Sequence, residues 1–121
     1  MKKLGVLLMV LTFISSACGN NENKYQEKIE KVQEIQAETH KVMKKKEDSL
    51  VDQFDKRKAN YYVFEDGKII IVGYKLVKDS DKLFLATYEF ENDKIYYKRD
   101  INPQDYIKEH KANYKEENLK K

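Results

Sequence analysis

From Tyr25 to about Lys58 the chain contains no glycine or proline and is dense in Lys, Glu and Gln, which favour a helix. Its larger apolar residues are Tyr25, Ile29, Val32, Ile35, Val42, Met43, Leu50, Val51 and Phe54. Most steps between them are three, four or seven, so they line one helical face. The pattern thins at Lys44–Asp48, and Ser49 with Asp52 reads as the cap of a fresh helix. The segment predicts one long helix or two nearly collinear ones. The heptad fails at Thr39 and Lys46, so packing on a sheet is expected rather than a coiled coil.

After Ala59 the pattern changes. NYYVFE, KIIIVGYKL, KLFLATYEFE and KIYYKRD are rich in Ile, Val, Tyr and Phe, the strand formers. The stretch FEDGKI, Phe64 to Ile69, returns as FENDKI, Phe90 to Ile95. Asp66-Gly67 is a strong two-residue hairpin signal, and Asn92-Asp93 is a weaker one. Phe64 then stands opposite Ile69, and Phe90 opposite Ile95, cross-strand pairs that stabilise by roughly 0.2–1 kcal/mol each. The Glu and Lys between them are expected to face each other as exposed ion pairs. The repeated acids therefore read as turn architecture, because a catalytic carboxylate pair needs burial to separate its pKa values. Lys78 to Asp81 is a polar loop, and Gly73 inside a strand suggests a bulge or bend. Asn102-Pro103-Gln104-Asp105 opens a second helix. Tyr106, Ile107, His110 and Tyr114 lie along one side of it, with fraying toward Lys121.

These elements predict an α+β fold: a long N-terminal helix packed on a four-stranded antiparallel meander, with a short C-terminal helix. Phe84, Ala86, Tyr88 and Phe90 share one sheet face, Thr87 and Glu89 the other. The first hairpin, Tyr61–Phe64 against Ile69–Val72, is apolar on both faces, which a sheet covered on one side does not need. The C-terminal helix is the favoured cover for the second face. A partner protein is the alternative, and Tyr62, Phe64, Ile69, Ile71 and Tyr96 are then the candidate partner surface. The tyrosine pairs Tyr61-Tyr62 and Tyr96-Tyr97 suit such a surface, although one of each pair must point inward in a strand.

The first seventeen residues stand apart. MKK is a short basic region, Leu4 to Ile14 a largely apolar run, and Ser15-Ser16-Ala17 are small, the layout of a secretory signal. The run is shorter than the roughly 20 residues that span a bilayer. Cys18 follows at once and is the only cysteine, so it has no internal disulfide partner. ISSACGN resembles the lipobox of bacterial lipoproteins, in which the cysteine receives a diacylglyceryl group and becomes the new N-terminus. Leucine is usual three residues before that cysteine, where this chain has Ser15 with Ile14 one further out. Ordinary cleavage, leaving a free thiol, is the alternative. The predicted organisation is a signal peptide over 1–17, a lipidated tether over 18–24 and one domain over 25–121. Location follows: the outer face of the cell membrane, held there by lipid.

Loss of the signal alters the charge. Removing Lys2 and Lys3 from 24 basic residues leaves 22 against 21 acids. A near-neutral surface argues against nucleic-acid binding, which needs a clustered basic excess. Abundant aromatics with low net charge argue against disorder. No serine sits in a nucleophile elbow. His40 and His110 lack metal-ligand spacing and are expected at the surface or its boundary. No glycine-rich phosphate loop exists, and Asp79-Ser80-Asp81 lacks the glycine and distal glutamate of a calcium loop. No enzyme activity, cofactor or metal is expected.

ISSAC, KYQEKIEKVQEIQ, FEDGKIII and FENDKIYY together resemble the cystatin-like fold lipoproteins of low-GC Gram-positive bacteria. Some members of that group look like exclusion factors of integrative and conjugative elements, surface proteins that block incoming transfer machinery. The resemblance implies a non-catalytic protein-binding module whose partner is another envelope or conjugation protein. Protease inhibition is not implied: IIIVG at Ile69–Gly73 lacks the glutamine of the cystatin inhibitory segment, and the chain has no Trp. The alternative function is binding of a small ligand between helix and sheet, for which a pocket above about 300 Å³ with inward polar groups would speak.

Overall fold

The computed structural model describes residues 21–119; the predicted signal, Cys18 and Lys120-Lys121 lie outside the described residues. Helix α1 runs Asn21–Lys46, so Asn21 to Lys24, expected in the tether, already belong to it. Lys44, Lys45 and Lys46 fill its last turn, where cations suit the helix dipole. Lys44 Nζ closes the end by donating to the Leu50 carbonyl at 2.9 Å. The expected second helix does not form. Ser49 Oγ donates to Glu47 at 2.6 Å instead of capping. Val51 N–H donates to the Leu76 carbonyl and Lys78 N–H to that of Ser49, both at 2.9 Å. Leu50 is thereby bridged to Val77, and Phe54 turns into the core.

Five strands follow: β1 (Ala59–Phe64), β2 (Ile69–Lys75), β3 (Leu83–Glu91), β4 (Lys94–Tyr97) and, after helix α2 (Pro103–Glu109), β5 (Tyr114–Glu117). All pairings are antiparallel, in the order β4-β3-β2-β1-β5. The sheet thus has one strand more than the meander predicted. Tyr114, expected on the helix, lies in that strand. Helix α2 stops at Glu109, and Asn113 N–H donates to the Val63 carbonyl at 2.7 Å, which starts pairing along the open side of β1. Asn60 then holds the chain end, its Oδ1 accepting from Leu119 N–H at 2.7 Å.

Phe64 does oppose Ile69, and Phe90 opposes Ile95. The second hairpin is the two-residue turn expected, Asn92 and Asp93 both at positive φ, with Glu91 opposite Lys94. The first leaves four residues between its strands, Glu65 to Lys68. Lys68 N–H donates to the Glu65 carbonyl at 3.1 Å, with Asp66 at φ 54° and Gly67 at φ 99° between them. Glu65 also takes φ 50°, so it leaves the ladder and does not face Lys68. Its carboxylate accepts from the Tyr106 hydroxyl, while Lys68 Nζ lies 3.6 Å from Glu89. Nor is this tip free. Asp66 Oδ1 accepts from Tyr25 OH at 2.8 Å and pairs with Lys24 at 3.2 Å. Those partners hold its carboxyl below the usual range, the tyrosine hydrogen bond contributing most.

Gly73 makes no bulge: it pairs in plain register with Asn60 and Leu85. A Cβ there would sit 2.6 Å from Leu85 Cδ2, so the glycine makes room for a neighbour's side chain.

Two cores result. Tyr25, Ile29 and Val32 of α1 pack with Tyr61, Val63, Ile70, Val72, Tyr74, Ala86 and Tyr88 on one face. On the other, Tyr62, Phe64, Ile69 and Ile71 pack under Ile101, Tyr106, Ile107 and Ala112. The C-terminal helix is therefore the second cover. Asn102 Oδ1 caps it, accepting from Asp105 N–H at 3.0 Å, with Pro103 in the first turn.

A groove and a free strand beside the long helix

The second core corrects the candidate partner surface. Phe64, Ile69 and Ile71 are at most 3% exposed and Tyr62 is 7% exposed; α2 takes up the apolar face that a partner would have needed. Burial raises the Tyr62 hydroxyl to about 12, helped by its hydrogen bond to Glu117 at 2.9 Å. Tyr96 stays outside, 45% exposed, on the α2 side of β4 opposite Glu89. Cys18 lies outside the described residues.

His40 is also corrected. It is fully buried, as is Gln36 one turn earlier. Its Nε2 lies 2.7 Å from the Val51 carbonyl and its Nδ1 2.8 Å from Tyr74 OH. A carbonyl only accepts, so with one ring proton the direction is forced: Nε2–H donates to Val51, and Nδ1 accepts from Tyr74. Gln36 Nε2 donates to Tyr74 OH at 3.3 Å, and Tyr88 OH donates to Gln36 Oε1 at 2.5 Å. The chain Tyr88, Gln36, Tyr74, His40, Val51 thus crosses the apolar core with each link satisfied. Burial pushes both tyrosine hydroxyls up. A sequence signal existed: Gln36 and His40 continue the stripe Ile29, Val32 at steps of four.

Where this chain reaches the surface, α1 and the outer strands leave a groove of about 540 Å³. Ile35, Gln36, Thr39 and Met43 form its helix wall, Phe84, Ala86 and Tyr88 its floor, and Tyr97 and Arg99 its rim. The Tyr97 ring lies 5.6 Å from that of Tyr88 and is 46% exposed, with the Arg99 guanidinium 6.0 Å above it. Val42, on the same side of α1 as Ile35 and Thr39, is 54% exposed. Arg99 is the only charged residue among those lining this groove. A larger depression, about 810 Å³, lies between α1 and the Gln53–Arg57 segment, but charged and amide side chains dominate its walls.

The groove is large enough for a small ligand, a site of which takes upward of about 300 Å³, yet the hydrogen-bonding groups of Gln36 and Tyr88 are turned on one another. Among the described residues no group of three or more His, Cys, Asp or Glu is placed to hold a metal. No described helix is long and apolar enough to cross a membrane.

Comparison with known proteins adds the family. The model of a domain of unknown function with cystatin-like fold (DUF4467) matches residues 25–118. The crystal structure of a DUF4467 family protein from Staphylococcus aureus subsp. aureus Mu50 is similar. It is 34% identical with a TM-score of 0.74, the match covering 79% of this chain and 99% of that one. No curated protein matches. Neither match is described by a catalytic activity. With all five strands, α2 and α1 from Tyr25 onward inside the matched region, this chain belongs to the cystatin-like DUF4467 family.

Proposed function

We propose that the mature chain is a non-catalytic binding module on the outer face of the cell membrane, tethered by a diacylglyceryl group on Cys18, that captures another envelope protein. A conjugation-channel component is the partner that the resemblance to exclusion factors suggests. The observation that carries the reading is the apolar groove beside β4, with Tyr97 exposed at its rim. A domain with both sheet faces already covered has little reason to leave an apolar groove open with a large ring exposed at its rim. Tyrosine and arginine at the rim suit a protein contact. The small-ligand reading draws on the groove's volume alone, because its polar floor is internally paired.

A photocrosslinking residue in place of Tyr97, in intact cells, tests this against the same residue in place of Lys111, which is exposed elsewhere. A discrete adduct with a membrane protein from position 97 alone is expected. No adduct, or the same adduct from both positions, overturns the reading. Cys18→Ser should release the chain from the membrane fraction, and retention there overturns the lipid anchor.

A further inference from the structure

β4 is an edge strand: β3 lies on one side and no strand on the other among the described residues. Its ladder fixes which backbone groups are unused. Lys98 N–H donates to the Thr87 carbonyl at 2.9 Å. Antiparallel pairs alternate between bonded and non-bonded, and Glu89 opposes Tyr96 two residues away. The N–H and C=O of Tyr96 and Lys94 therefore face β3, and those of Ile95 and Tyr97 face outward. The other edge, β5, reads Tyr-Lys-Glu-Glu, a charged edge of the kind that deters pairing. β4 instead presents Ile95, Tyr96 and Tyr97.

Side-chain direction ties this edge to the groove. Ile95 packs against the α1-side core, and Tyr97 lines the groove. A residue of an added strand opposite Tyr97 would put its own side chain on that same face, at the groove rim that Tyr97 forms. Charge narrows the occupant further. Lys98, just after the strand, is already paired with Glu89 and Asp100, whereas Arg99, the groove's charged lining residue, offers the planar fork that takes a carboxylate in bidentate fashion. A second copy fits poorly. Two β4 strands bonded through Ile95 and Tyr97 would set Lys94 opposite the partner's Lys98 at both ends, and like charges directly opposite destabilise.

Resting on the binding-module reading, we infer that β4 accepts an extended segment of the partner by strand addition. An apolar side chain of that segment enters the groove, and an acidic one two residues away, on the same face, meets Arg99. Main-chain bonds supply affinity, and the groove and Arg99 supply selectivity.

The test uses the full lipidated chain in detergent with a panel of nine-residue peptides. These alternate Thr and Val and carry one Asp two positions from the central Val, in place of another Val, with matched peptides carrying Lys or N-methylated at alternate amides. Amide hydrogen exchange is read residue by residue. The acidic peptides should protect Ile95 and Tyr97, leave the protection of Tyr96 unchanged, and lose this effect on N-methylation. Arg99→Glu should weaken them about tenfold or more and favour the Lys peptides. Failure of every acidic peptide to protect the two edge amides overturns strand addition, as does indifference to N-methylation. Protection that grows with protein concentration and needs no peptide points to a second copy and also overturns it. Specific crosslinking from position 97 together with unprotected edge amides would leave the binding module standing and remove only this inference.

Discussion

Thr87 Oγ1 is buried on the α2 side of β3 and has no hydrogen-bond partner among the described residues. Valine has the same shape without the hydroxyl, so Thr87→Val should raise stability by about 1 kcal/mol. The urea midpoint would move up with an unchanged slope, whereas a fall would mean that the hydroxyl is bonded. The buried chain on the opposite face behaves in the reverse sense. Gln36→Leu strands the Tyr88 hydroxyl and leaves Tyr74 with only its bond to His40, a loss of about 1–3 kcal/mol. Adding Tyr88→Phe removes the stranded group, so the double variant should lose less than the two single losses combined. Additive losses in urea titrations would show that the link between them contributes nothing. These positions were hard to read in the sequence because hydropathy ranks Gln and His as surface residues. Only their place on the Ile29–Val32 stripe marks them as core.

Helix α2 has seven residues, too few to be stable alone; docking on Phe64 and Ile71 holds it. Its N-cap is then a handle on the whole second core. Asn102→Ala should cost about 0.5–2 kcal/mol and raise binding of a hydrophobic dye, as Tyr62, Phe64 and Ile69 become uncovered more often. Destabilisation without dye binding would mean that α2 does not open ahead of the sheet. The start of this helix was legible because Asn, Pro and an acid at set spacing act locally. Hairpin register was legible for the same reason: turn residues and a period of two fix it within ten residues. β5 was not. Tyr-Lys-Glu-Glu has helix-like composition, and what makes it a strand is pairing with β1, more than fifty residues earlier. The loop after α1 failed likewise, since the Leu50–Val77 bridge is a long-range contact that local spacing cannot reveal.

At the scale of the molecule, the sheet is sandwiched between α1 and α2, and every position of β1 is buried. The apolar excess of the first hairpin was visible in the sequence, and the C-terminal helix was its favoured cover, as the second core bears out, but composition alone does not decide it. A surface awaiting a partner and a surface awaiting α2 have the same composition. Closing both faces leaves the sheet's edges and the groove as places where this chain can still gain contacts. It also surrounds tyrosines with protein. Burial raises Tyr61 to about 12, Tyr62 to about 12 and Tyr106 to about 12, the last also through its bond to Glu65; Tyr74 and Tyr88 rise too. In the unfolded chain a tyrosine titrates near 10. Below that pH both states keep their protons, and the contribution of burial is fully present. As pH rises past about 10, the unfolded chain loses protons that the folded chain retains, so it binds fewer and stability falls with pH. The fall continues until the folded groups ionise near 12. The urea midpoint should thus decline steeply across that window, while tyrosinate absorbance from the buried rings appears together with unfolding. If those rings ionised near pH 10 with the midpoint unmoved, the two cores would not be closed as described, and the groove and free edge would lose their standing as the molecule's remaining open ground.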